Sequence, residues 1–181
     1  MSSHQNLSLP SPWVSRFAGL IPEGGKVLDL ACGGGRHSRL LAGLGYQVEA
    51  VDRDISALGE WPASHSVQVR EADLEGGVWP YGKSAFSGIV VTNYLFRPRL
   101  PELLIALAAP GVLIYETFMI GNEHFGKPSN PDFLLQSQEM LAWVQENGLS
   151  VVAFEEGYVD QPKPAVVQRL CAVRGSFMAR I

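Results

Sequence analysis

Asp29, the three glycines Gly33, Gly34 and Gly35, Asp52 and Asp73 are the residues whose types and spacing could do chemistry. The first four lie in VLDLACGGGRHS, Val27 to Ser38, and the two later acids close the apolar runs that end in EAVD and READ. A glycine run after a strand lets the backbone approach a ligand with no Cβ in the way. A helix that starts there turns its N–H groups and positive dipole end towards an anionic group. Asp52 stands 17 residues after Gly35. A carboxylate at that place accepts two hydrogen bonds at once, which suits the two hydroxyls of a ribose. Together these residues point to a nucleoside-containing cofactor.

Such residues need elements to carry them. Short apolar runs alternate with helical stretches, which predicts an α/β fold with a mostly parallel sheet. Ser11-Pro12 opens an N-terminal helix, with Trp13, Phe17 and Leu20 at helical spacing. Strands are expected at Lys26 to Ala31, Gln47 to Val51, Val67 to Glu71, Gly88 to Val91 and Val112 to Thr117. Helices are expected at Arg36 to Leu44, near Ile55 to Leu58, at Pro101 to Ala109 and at Ser137 to Asn147. Two closing strands, Ser150 to Glu155 and Val166 to Val173, flank Gln161-Pro162-Lys163-Pro164. That spacing leaves no room for a crossover helix, so they should pair antiparallel. Gly121 to Asp132 reads as a long loop.

The chain has 181 residues, 46% of them hydrophobic and 18% charged, which fits one domain over 1–181. Its net charge of −4 argues against extended nucleic-acid binding, which calls for a basic face. No apolar run approaches a membrane span. Met1 to Gln5 carries no basic n-region, so no secretory leader is expected. Cys32 and Cys171 form neither a metal-ligand spacing nor a disulfide framework, and a reducing, cytoplasmic setting is expected.

Two cofactor classes compete for the glycine loop. The dinucleotide fingerprint G-x-G-x-x-G would need glycine where Ser38 stands. An acid inside the first strand is also foreign to it. The stretch VLDLACGGGRHSRLLAGLGYQVEAVDRD resembles instead the first motif of class I S-adenosylmethionine-dependent methyltransferases: an acid, glycines at alternate positions, then an acid ending the second strand. Asp29, Gly33 and Gly35 match; Ala31 stands where the family usually has its first glycine. Within that family the chain is similar to small bacterial enzymes related to the tellurite-resistance and thiopurine methyltransferases.

The resemblance implies a three-layer α/β/α Rossmann-like methyltransferase fold, with a seven-stranded, mostly parallel sheet whose last strand is antiparallel. It implies S-adenosylmethionine as cofactor and S-adenosylhomocysteine as product. Asp29 would orient the methionine amino end, and the backbone of Ala31, Cys32 and Gly33 would line the methionine. Asp52 would hold the ribose and Arg53 would cover one adenine face. Asp73 and the N–H of Leu74 would meet the adenine edge. Asn93 and Tyr94 would face the methionine end and the methyl group. Arg36 and His37 could meet the carboxylate.

Methyl transfer neutralises a sulfonium, which aromatic faces can hold by cation–π contact. Tyr94 and Phe118 are candidates, with Phe125 and Trp13 as further contributors. If the acceptor must lose a proton, His124 is the first candidate base and Glu116 the second. The loop Phe118 to Phe133 is expected to be mobile and to form part of the acceptor pocket. The run Thr92-Asn93-Tyr94-Leu95 lacks the Asn/Asp-Pro-Pro-aromatic pattern of enzymes that methylate amide or exocyclic nitrogens. The leading expectation is in-line transfer to a small-molecule acceptor. A non-catalytic S-adenosylmethionine-binding sensor or scaffold and a nicotinamide-dependent reductase are the alternatives.

Overall fold

In a computed structural model of the chain, which describes residues 9–58 and 66–176, the alternation in the strands becomes a two-sided sheet. Strands β1 (Lys26–Leu30), β2 (Gln47–Asp52), β3 (Val67–Glu71), β4 (Phe86–Thr92), β5 (Leu107–Phe118), β6 (Ser150–Val159) and β7 (Ala165–Arg174) form one sheet in the order β3-β2-β1-β4-β5-β7-β6. The first five pair in parallel. β7 runs antiparallel to both β5 and β6. The seven-stranded sheet with its antiparallel last strand is therefore as expected. The stretch Met1 to Gln5 lies outside the described residues.

Successive side chains of each central strand serve opposite layers, as the period of two demands. Leu28, Ile89, Val91, Leu113 and Tyr115 pack in one core with Leu103 and Leu104 of α3 (Leu100–Ala106) and Met140 and Val144 of α4 (Glu139–Glu146). Val27, Val90, Val112 and Ile114 pack in the other core with Trp13, Val14 and Phe17 of α1 (Pro12–Phe17) and Leu41 of α2 (Arg36–Gly43). Helices therefore cover both faces, giving three layers. Among the described residues no helix is long and apolar enough to cross a membrane.

Ser11 caps α1, its side chain accepting from the Trp13 N–H, with Pro12 at the first helical position. The Trp13 indole N–H donates 3.1 Å to the Leu170 carbonyl. Trp13 is thus a core residue with a satisfied polar tip. Several expected elements are shifted. The helix foreseen over Pro101 to Ala109 ends at Ala106, because Leu107 already pairs with Phe86 in the sheet. Arg174 takes the carbonyls left at that helix end, donating to Leu104 and Leu107 at 2.6 and 3.1 Å. The helix near Ile55 is a single 3-10 turn, Ser56–Leu58. The long loop contains two more such turns, Asn122–His124 and Pro131–Phe133.

Candidate active site

The carboxyl ends of β1 to β5 form a ledge with two cavities that share one residue, Asn93. The first, of about 390 Å³, is lined by Ala31, Asp52, Arg53, Asp73, Leu74 and Tyr94, with Pro128 and Phe133 from the long loop. The second, of about 250 Å³, lies between Ser11, Arg36, Glu116, Phe118 and the β6–β7 hairpin. Ligands of open α/β sheets collect at this edge, where strand order reverses.

Ala31, Gly33 and Gly35 alternate in the left-handed region, with φ of 53°, 52° and 72°. That conformation is what the glycines supply: a Cβ at Gly33 would meet nothing within 4 Å, but its φ strains any L side chain. The amides of Gly33 and Gly35 are already engaged. Gly33 N–H donates 2.8 Å to Asp52 Oδ2, and Gly35 N–H donates 2.9 Å to the Cys32 carbonyl. The loop therefore shapes the cavity more than it donates to it. Ala31 carries the strain that a glycine would relieve, about 1 kcal/mol for one left-handed L residue. Glycine gives back part of that as chain entropy. Ala31→Gly should raise stability by about 0.5 kcal/mol, and Ala31→Val should lower it by more than about 1 kcal/mol. Thermal denaturation of the three proteins checks the order; a glycine variant less stable than the parent would contradict it.

Asp29 is buried, and its Oδ2 accepts 2.5 Å from Ser38 Oγ. Burial pushes its carboxyl up to about 6, against the pull of that hydrogen bond. The serine that displaces the third fingerprint glycine thus holds the strand acid, tying β1 to α2. Asp29 lines neither cavity. Asp52 Oδ1 also accepts 3.2 Å from the Asp54 N–H, so backbone fills two of the acceptor positions of this cavity-lining carboxylate. Asp73 Oδ1 accepts from the N–H groups of Glu75 and Gly76 at 3.0 and 3.1 Å, which hold its carboxyl below the usual range.

His37 does not reach a cavity. It is 1% exposed; its Nε2 accepts 3.0 Å from the Ser11 N–H, and its Nδ1 lies 3.4 Å from Thr92 Oγ1. Burial first, then the Arg36 charge, lower its pKa to about 3, so it is a neutral tie between α1, α2 and β4. Arg36 lines the second cavity, not the first. Cys32 is packed with Ala50 and Leu58, and burial pushes its thiol up to about 12.

Of the candidate bases, His124 is exposed beside Glu123, 3.7 Å away, and lines neither cavity. Glu116 is 7% exposed, lines the second cavity and meets Arg169 Nε at 2.5 Å. Tyr94 lines the first cavity; burial and the Glu75 and Asp73 charges raise its phenol. Asn93 is held at φ 55°, its N–H donating 2.9 Å to the Glu116 carbonyl. Phe118 lines the second cavity, whereas Phe125 stacks on Tyr158 away from both.

One site-shaping residue escaped the sequence reading. Arg97 grips Glu139 with two nitrogens, at 2.6 and 2.9 Å, and donates to the carbonyls of Asp132 and Leu134 at 2.7 and 2.9 Å. It fastens the end of the long loop, so that Phe133 forms a wall of the first cavity. Of the loop Phe118 to Phe133, Pro128 and Phe133 line the first cavity and Phe118 lines the second. Arg97 meets these partners across 35 to 42 residues of chain, and no local pattern records such a contact.

The family described as tellurite resistance protein TehB matches residues 15–71, the stretch from α1 through β3. No curated protein sequence matches the chain significantly. Among solved structures, TehB from Haemophilus influenzae superposes with a TM-score of 0.71 at 18% identity, over 91% of this chain and 62% of that one. The chain thus spans less than two thirds of that protein. A methyltransferase from Methanosarcina mazei gives a TM-score of 0.68 at 14% identity, over 92% of this chain and 99% of that one. The 1,6-didemethyltoxoflavin-N1-methyltransferase of Burkholderia thailandensis, whose structure holds its substrate and S-adenosylhomocysteine, gives 0.68 at 14% identity, over 96% and 80%. By strand order, site position and superposition, the chain has the fold of class I S-adenosylmethionine-dependent methyltransferases, and through its glycine-loop unit it is similar to the tellurite resistance protein TehB.

Proposed function

We propose that the protein is an S-adenosylmethionine-dependent methyltransferase that uses the first cavity for the cofactor and the second for a small-molecule acceptor. The observation that carries this reading is the pair of cavities meeting at Asn93, one of them bearing Asp52 and Asp73 on adjacent strand ends. The donor set fits the cofactor: Asp52 has acceptor capacity for a ribose diol, Asp73 for an adenine amino group, and Arg53 offers a guanidinium plane for the ring. Tyr94 lines the same cavity, and Asn93 is the residue it shares with the second. When bound, the cofactor supplies an electrophilic methyl group on a cationic sulfur.

The residues of the chain then act by positioning. The second cavity holds the acceptor against Asn93, in line with the group it receives, which is where most of the acceleration arises. Glu116 is the carboxylate placed to take a proton from an acceptor that carries one; an acceptor already ionised needs no base. The nicotinamide alternative gains nothing from the topology: dinucleotide domains have the parallel order 3-2-1-4-5-6, whereas β7 here is inserted antiparallel between β5 and β6.

A saturating ligand at about 100 times its dissociation constant should add roughly 2.7 kcal/mol of stability. S-adenosylhomocysteine should do so in a thermal-shift assay, and a nicotinamide dinucleotide should not. The opposite result removes the cofactor assignment. Transfer of labelled methyl to a metabolite panel separates an enzyme from a sensor.

A further inference from the structure

The second cavity is unusual for a protein of net charge −4. Three cations line it, Arg36, Lys163 and Arg169, against a single acid, Glu116. Arg169 is spoken for: it meets Glu116 at 2.5 Å and Glu155 at 2.9 Å. Arg36 donates to a carbonyl, that of Leu9, at 3.3 Å. Neither Arg36 nor Lys163 has a carboxylate partner within 4.0 Å among the described residues. Two cations with no carboxylate in contact among the described residues therefore line the cavity. The rest of its wall is largely apolar, with Phe118, Val159 and Val167 among its residues.

We propose that the methyl acceptor is a small organic carboxylate with an apolar or aromatic body, its carboxylate bound by Arg36 and Lys163 and its body by Phe118, Val159 and Val167. This rests on the methyltransferase reading given above. The charge excludes a cationic acceptor by repulsion. The apolar wall disfavours an inorganic oxyanion, whose remaining oxygens would be left without hydrogen-bond partners there. An arginine presents its nitrogens as a fork that matches a carboxylate, and a lysine adds a mobile point charge. The two cations come to the cavity from different elements: Arg36 opens α2, and Lys163 belongs to the β6–β7 turn.

Calorimetric titration in saturating S-adenosylhomocysteine tests this with benzoate, phenylacetate and 3-phenylpropionate, each against its amide, and with inorganic phosphate. At least one carboxylate should bind about tenfold or more tightly than its amide, as a charge-assisted contact implies. Lys163→Met should lose about tenfold in carboxylate affinity and nothing for the amide. Arg36→Met should lose more carboxylate affinity than S-adenosylhomocysteine affinity. Equal binding of acid and amide, phosphate binding as tightly as every organic acid, or an Arg36→Met loss confined to S-adenosylhomocysteine overturns the proposal. Absence of S-adenosylhomocysteine binding by the parent protein is a separate outcome, and it removes the methyltransferase reading itself.

Discussion

Asp52→Ala should weaken S-adenosylhomocysteine binding by about 100-fold, close to 2.7 kcal/mol, while moving the unliganded stability by less than about 1 kcal/mol. The asymmetry comes from how the carboxylate is used. An ionised carboxylate offers about four acceptor positions. Gly33 N–H takes one through Oδ2, and Asp54 N–H takes one through Oδ1. Two are left over on a residue that lines the first cavity, and a ribose has two hydroxyls. Hydrogen bonds to a charged group contribute roughly 1.5–3 kcal/mol each, and neighbouring ones do not add fully. Losing both therefore accounts for the expected drop. In the unliganded protein, water in the open cavity replaces the carboxylate at the two amides, so the fold loses little. Asp52→Asn should fall between, because it keeps one oxygen for Gly33 and turns the other position into a donor. Calorimetric titration of the three proteins reads the series. An Asp52→Ala affinity within a factor of about two of the parent would take Asp52 out of the site.

The sequence revealed most where chemistry and local geometry coincide. Val67–Glu71 and the β1–α2 unit stand where their β-branched and apolar patterns placed them. Ala31 is a sharper case. It looked like a departure from the family pattern, and its φ of 53° shows that the backbone still requires the glycine conformation. Ser38 stands where the dinucleotide fingerprint needs glycine, and its role lies in the bond to Asp29, nine residues away. Glu156 to Val159 extend β6 beyond its expected end because they pair with Gln168 to Ala165. Tyr158 there is solvent-exposed and gives no burial signal to read. His37 and Arg97 were the least legible. Their partners come from other elements, Ser11 and Thr92 for one and Glu139 and Leu134 for the other, and tertiary contacts of this kind leave no periodicity behind.

His37 should make the protein acid-sensitive in a way that His37→Gln abolishes. In the folded state the imidazole is buried with a pKa near 3, against 6.5 when exposed. The unfolded chain thus binds the proton more readily, and stability is lost as pH falls below about 6.5, at up to about 1.4 kcal/mol per unit. Between pH 7 and pH 4 the parent should lose about 3 kcal/mol relative to the glutamine variant, whose amide oxygen can still accept from Ser11. Asp29 works the other way. Its carboxyl is raised to about 6 by burial, so the folded state binds that proton more readily, and stability is gained as pH falls from about 6 towards 3.8. Between pH 6 and pH 4 the two contributions oppose each other and flatten the parent's curve. Asp29→Asn should therefore steepen acid unfolding, and His37→Gln should flatten it or reverse its slope. Denaturant titrations at pH 7, 6, 5 and 4 give the curves; parallel curves for the parent and His37→Gln would show that the imidazole is not held neutral. The local consequence is also measurable. Protonation puts an N–H at Nε2, facing the Ser11 N–H it now accepts from, donor against donor. Ser11 caps α1, and Leu9 to Pro12 wall the second cavity. Amide protection over residues 11–18, taken relative to the intrinsic exchange rate, should fall at pH 5 in the parent more than in His37→Gln, so that the acceptor side of the site opens before the sheet does.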